Sequence, residues 1–90
     1  MRLDKYLKLS RLVKRRTVAQ EMAQVGAVKI NGRTAKAASN VTEGDIVEIS
    51  YPRRLLKVKV LSADETALKR KTAPYLLVEE KRVEPQRQLW

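Results

Sequence analysis

The hydrophobic period of this chain changes once, at Gly26-Ala27, and that change constrains the fold more than any other feature of the sequence. Before it, apolar residues recur every three or four positions; after it, every two. Leu3, Tyr6 and Leu7 follow the i, i+3, i+4 rule and predict a short helix over residues 2–9. Thr17, with Gln20 three residues on, reads as a capping box opening a second helix that runs to Val25. Val18, Met22 and Val25 would be its apolar stripe, and Gly26 its left-handed stop. Past Gly26, Val28 and Ile30 alternate with polar neighbours, and Asn31-Gly32 signals a tight hairpin with a short return over residues 33–36. Residues 37–40 are small and polar, a connection. Glu43-Gly44-Asp45 is a second turn, leading into a strand that ends near Tyr51-Pro52. Leu56, Val58 and Val60 alternate with Lys57 and Lys59, the pattern of a half-buried strand. Residues 62–73 lack a period and read as a loop or frayed helix. Residues 75–78 offer a last strand. Two helices followed by short strands predict an α+β fold: two short helices packed on a small, bent, mainly antiparallel sheet.

A chain of 90 residues makes one small domain. With no Phe and only Tyr6, Tyr51, Tyr75 and Trp90 as aromatics, the core must be aliphatic. Leu3, Leu7, Val18, Met22, Val28, Ile30, Val41, Ile46, Val47 and Ile49 are its expected members. Tyr6 could stack on a base, but its helical spacing with Leu3 favours the core. The expected organisation is a module over residues 1–60, a C-terminal extension over 61–84 and a mobile polar tail over 85–90 that Pro85 opens and Trp90 ends.

Charge is polarised along the chain. Lys and Arg number 20 against 10 acids, a net charge of +10. Residues 1–36 carry ten bases and two acids, and seven of those bases fall within residues 2–16. A solvated helix ordinarily mixes both signs, so the excess predicts a face for a polyanion. Arg2, Lys5, Lys8, Arg11, Lys14, Arg15 and Arg16 are the candidate phosphate contacts, Arg having the planar fork that Lys lacks. Thr17, first a cap, could add its hydroxyl. Gln20 and Gln24 lie on the polar side of the second helix, facing RNA or solvent, and Arg33 and Lys36 flank the first turn, where they could grip a backbone. Asp4 has three readings: it orients Arg2 or a neighbouring base, accepts a hydrogen bond from a base edge or 2′-hydroxyl, or complements a helix dipole. The orienting role is preferred.

Without Cys or His, disulfides, Cys/His zinc sites, Cys nucleophiles and His-based triads are excluded. Asp4 and Glu21 are the only acids in the basic half, which leaves no evident catalytic constellation, metal site or cofactor site. The charged N-terminus lacks the apolar stretch of a signal peptide, and no segment has the length of a membrane span. The helices are too short for a peripheral binder of anionic membranes. A cytoplasmic protein is expected.

The ordered runs Met1-Arg2-Leu3-Asp4-Lys5-Tyr6-Leu7, Ser10-Arg11-Leu12, Lys14-Arg15-Arg16-Thr17-Ala19, residues 26–32 and residues 41–45 resemble the S-four RNA-binding domain, named after ribosomal small-subunit protein four. The resemblance spans roughly residues 1–60. It implies that the two helices and the following turn face RNA, with Arg2, Asp4 and Arg16 as contacts or contact organisers. About 30 residues follow the module, too few for the synthase, methyltransferase or synthetase domains that carry it elsewhere. The chain therefore looks like the stand-alone form, which includes the fifteen-kilodalton heat-shock group and the shorter quality-control group known as RqcP, and is most similar to the latter. This resemblance implies a non-catalytic factor on the obstructed large ribosomal subunit, in contact with large-subunit rRNA and peptidyl-tRNA. It also implies support for alanine tailing by a separate partner protein. The heat-shock group implies an alternative, recycling of large subunits with trapped nascent chains. Off the ribosome a monomer is expected.

Overall fold

A computed structural model describes residues 1–70 and 73–82. In chain order the elements are α1 (Leu3–Leu9), α2 (Arg16–Gln24), β1 (Val28–Ile30), β2 (Arg33–Thr34), β3 (Ile46–Tyr51), β4 (Arg54–Val60), α3 (Glu65–Lys69) and β5 (Tyr75–Arg82). The strands form one sheet in the order β2-β1-β3-β4-β5, with every neighbouring pair antiparallel. The α+β reading holds, with a third short helix added where the sequence offered a loop or frayed helix. That helix is capped by Asp64, whose carboxylate accepts from the Thr66 amide at 3.1 Å. None of the described helices is long and apolar enough to cross a membrane.

α1 buries Leu3, Tyr6 and Leu7 completely. Its first amides are satisfied by a distant segment: Leu3 N donates to Ser39 O at 2.8 Å and Asp4 N to Ala37 O at 3.1 Å. The connection at residues 37–40 therefore completes the first turn of the helix, which has no side-chain cap. The Tyr6 hydroxyl donates to Pro74 O at 2.9 Å, so the ring is core and its polar tip is paired. Burial pushes that phenol above its ordinary range.

α2 departs from expectation at its start and in its buried face. It begins at Arg16 behind an extended Arg15, and no side chain caps it. Thr17 is an exposed residue of the first turn, so the capping box with Gln20 does not form. The buried face is Ala19 and Ala23, one turn apart, whereas Val18 is 39% and Val25 79% exposed. Small side chains lie where the helix meets the core, and the larger valines are turned outward. Met22 packs partly against the core. The end of α2 is as expected: Gly26 has φ +78°, Gly26 N donates to Ala23 O and Ala27 N donates to Met22 O, a Schellman closure.

Asn31 and Gly32, both at positive φ (51° and 82°), make the two-residue turn between β1 and β2. Asn31 also ties that turn to β3. Its Nδ2 donates to Asp45 Oδ1 at 3.1 Å, and its Oδ1 accepts from Ile46 N at 2.9 Å. Val47 and Ile49 of β3 and Leu56, Val58 and Val60 of β4 face the core. Strand β5 extends past residues 75–78, so residues 79–82 are paired with β4. Its edge position, with both faces largely exposed, removes the alternation that would have announced it. The 85–90 tail, with Pro85 and Trp90, lies outside the described residues.

Candidate nucleic-acid interface

Asp4 is the centre of the basic helical face. Its side chain is 0% exposed, and a buried carboxylate must be matched by donors. Arg2 supplies a fork, Nε to Oδ1 at 3.2 Å and Nη2 to Oδ2 at 3.3 Å. The Lys5 amide donates to Oδ1 at 2.8 Å, and the Gln20 amide to Oδ2 at 2.9 Å. Arg16 Nη2 donates to Oδ1 at 3.5 Å. Its Nε is itself buried and stands 3.2 Å from Oδ2 out of hydrogen-bond alignment. Burial pushes this carboxyl up, but the Gln20 amide, the Arg16 guanidinium and the Lys5 amide outweigh it and hold the group below the usual aspartate range.

The local geometry explains the convergence. Asp4 sits in the first turn of α1, Arg16 opens α2, and Gln20 follows Arg16 one turn later on the same face. The carboxylate thus joins the two helices by charge. Arg2 and Arg16 keep 53% and 41% of their side-chain surface exposed, so each guanidinium is fixed on one edge and free on the other. Two oriented, half-free forks are suited to bidentate contact with phosphate. Buried as it is, Asp4 orients these bases and offers no surface of its own to a ligand.

The remaining candidates fall into separate groups. Lys36 lines one cleft with Arg2, Gln20 and Gln24, between α2 and the segment after β2. Gln24, one helical turn beyond Gln20 and read from sequence as part of the same polar side of α2, lines this cleft too. Lys14 and Arg15 are exposed in the link before α2, Lys8 is exposed in the last turn of α1, and Arg33 is exposed on β2. Lys5 is turned to α3, where Nζ lies 2.7 Å from Glu65 Oε2. Lys69 shares that carboxylate at 3.3 Å. The Lys5 and Lys69 ammonium groups hold Glu65 below its ordinary range. Arg11 lies past the far end of α1, with φ 65°.

Fold and site define a class, a small S4 module: the S4 domain model matches residues 1–47. The chain is 48% identical over 85 residues to the RQC P-site tRNA stabilizing factor of Streptococcus pneumoniae, covering 93% of this chain and 97% of that protein. The protein of the same name from Bacillus subtilis is 43% identical over 84 residues, covering 92% and 98%. The solved trimeric structure of Vibrio cholerae heat shock protein 15 superimposes with a TM-score of 0.74 at 26% identity, covering 87% of this chain and 81% of that one. The chain belongs to the S4-domain family and, within it, to the family of RQC P-site tRNA stabilizing factors.

Proposed function

We propose that this chain is a non-catalytic, cytoplasmic RNA-binding factor of ribosome-associated quality control. It binds the obstructed large ribosomal subunit through large-subunit rRNA, steadies the peptidyl-tRNA, and so supports alanine tailing of the stalled chain by a separate partner. The observation that carries this reading is the pair of half-exposed guanidinia held by the buried Asp4, within a helical face that also exposes Lys8, Lys14 and Arg15. The names of the relatives support the tRNA and quality-control parts of it. Fixing Arg2 and Arg16 before binding lowers the ordering cost of gripping phosphate.

The test is gradient sedimentation of the tagged protein from lysate. Migration with large-subunit particles, lost after nuclease treatment, is expected. With about four to six bases engaged, affinity for the purified particles should fall on the order of a hundredfold or more between 50 and 200 mM salt. A flat salt response, or sedimentation only with free protein, would sink the proposal.

A further inference from the structure

We propose a second RNA-backbone contact at the β3–β4 hairpin, built from Arg53, Arg54 and Arg82 around Tyr51 and extended by Arg11. These bases are scattered in sequence and are brought together by strand register. Tyr51 of β3 stands opposite Arg54 of β4, and Arg54 opposite Arg82 of β5, so one row crosses three strands as ring, base, base. With Pro52, Arg53 and Glu80 they line an open cleft of about 610 Å³.

Like charges directly opposite on paired strands are destabilising. Among the described residues, Arg11, Arg53, Arg54 and Arg82 form no ion pair. Glu80 is the one acid in the cleft against Arg53, Arg54 and Arg82, so the free fold carries a net repulsion at this end of the sheet, and a polyanion would relieve it. The row is also built to stay in place. The Tyr51 hydroxyl donates to Leu12 O at 2.6 Å, and the Arg54 guanidinium lies 4.6 Å from the ring centroid. Arg11 lines the adjoining hollow with Tyr51 and Arg54. It holds a left-handed backbone at the position after a helix end where glycine is usual, a strain that an exposed Arg does not require for packing.

Phosphate is the chemistry these forks match, since guanidinium binds it bidentately. Given the proposed reading of RNA as ligand, one strand can reach from the Asp4 cluster to Arg11, which adjoins the row. The seven residues of α1, roughly 10 Å long, separate the Asp4 cluster from Arg11. A few nucleotides of continuous backbone cover that distance.

The test uses a fluorescein-labelled RNA duplex, binding followed by anisotropy across a salt series, and melting by circular dichroism. Arg82→Glu gives Arg54 an acidic partner. The melting temperature should rise by about 1–4 °C. Affinity should fall about tenfold, with the salt slope shallower by roughly one to two units. Arg53→Ser, in the exposed turn, should lose affinity severalfold with melting unchanged. Lys59→Glu on β4 makes the same charge change away from the row and should cost much less. The inference is overturned if both hairpin variants bind within twofold of wild type, or if Lys59→Glu loses as much as Arg82→Glu. It is equally overturned if Arg82→Glu loses binding to phosphatidylglycerol vesicles and keeps its RNA affinity. Absence of RNA binding by the wild-type chain would instead remove the functional reading above.

Discussion

Replacing Asp4 by Asn separates charge from organisation at the helical face. The amide keeps one acceptor oxygen but turns an NH₂ toward donors, so it cannot hold both guanidinia and the Gln20 amide. About two charge-assisted hydrogen bonds are lost. Because Arg2 and Arg16 are half exposed, water recovers part of each, and a net cost of about 2 kcal/mol follows. For a domain of this size that lowers the melting temperature by about 8–16 °C. RNA affinity receives two opposing contributions. Removing a negative charge strengthens attraction to phosphate by about 1 kcal/mol, because the half-exposed Arg2 and Arg16 guanidinia stand between the carboxylate and a ligand and keep the two charges apart. Releasing two Arg side chains restores an ordering cost of about 1–3 kcal/mol. Organisation should win, and affinity should fall by as much as about 30-fold. The assay is anisotropy with labelled RNA at a temperature where circular dichroism shows the variant folded. If folded Asp4→Asn binds as tightly as wild type or tighter, the face acts through net charge and Asp4 does not organise it.

Acid should unfold the protein partly through two aspartates. Asp4 and Asp45 both have native pKa values below the ordinary 3.8, Asp45 because the Thr42 amide, the Asn31 amide and the Thr42 hydroxyl outweigh its burial. Their stabilisation is full above the unfolded value and is lost as pH falls through the native ones, so melting followed from pH 5 downward should drop, and less steeply in Asp4→Asn. Asn31→Ala should cost about 1–3 kcal/mol by urea unfolding, since alanine disfavours φ 51° and removes both bonds to β3; a loss under 0.5 kcal/mol would refute the tie. Val25→Lys, at a residue 79% exposed, should change stability by less than about 0.5 kcal/mol, whereas a core position would lose several.

Much of the fold was legible because it rests on local backbone chemistry. Gly26 and Asn31-Gly32 occupy left-handed positions that few other residues take, and the alternation through Leu56, Val58 and Val60 reports a sheet with one buried face. The inner face of α2 was missed because Ala19 and Ala23 carry little hydrophobic signal, while Val18 and Val25 carry more and lie outside. Asp4 was legible as an orienting acid in a basic run. Its depth was not, since a carboxylate is buried only if donors such as Arg16 and Gln20 converge from another helix. The Tyr51, Arg54 and Arg82 row was invisible for a similar reason: its members meet through register across three strands.

The two carbonyls that finish α1, those of Ala37 and Ser39, also decide what can be cut out and moved. A peptide ending at Gly26 would contain the basic helices entire, yet the first turn of α1 would face water and Leu3, Tyr6 and Leu7 would have no sheet to cover. Such a fragment should be a poor helix and a poor ligand. Transplanting this surface onto another protein therefore means carrying the connection and the strands behind it as one graft, and a loop insertion between residues 36 and 40 should unsettle a binding face many positions upstream.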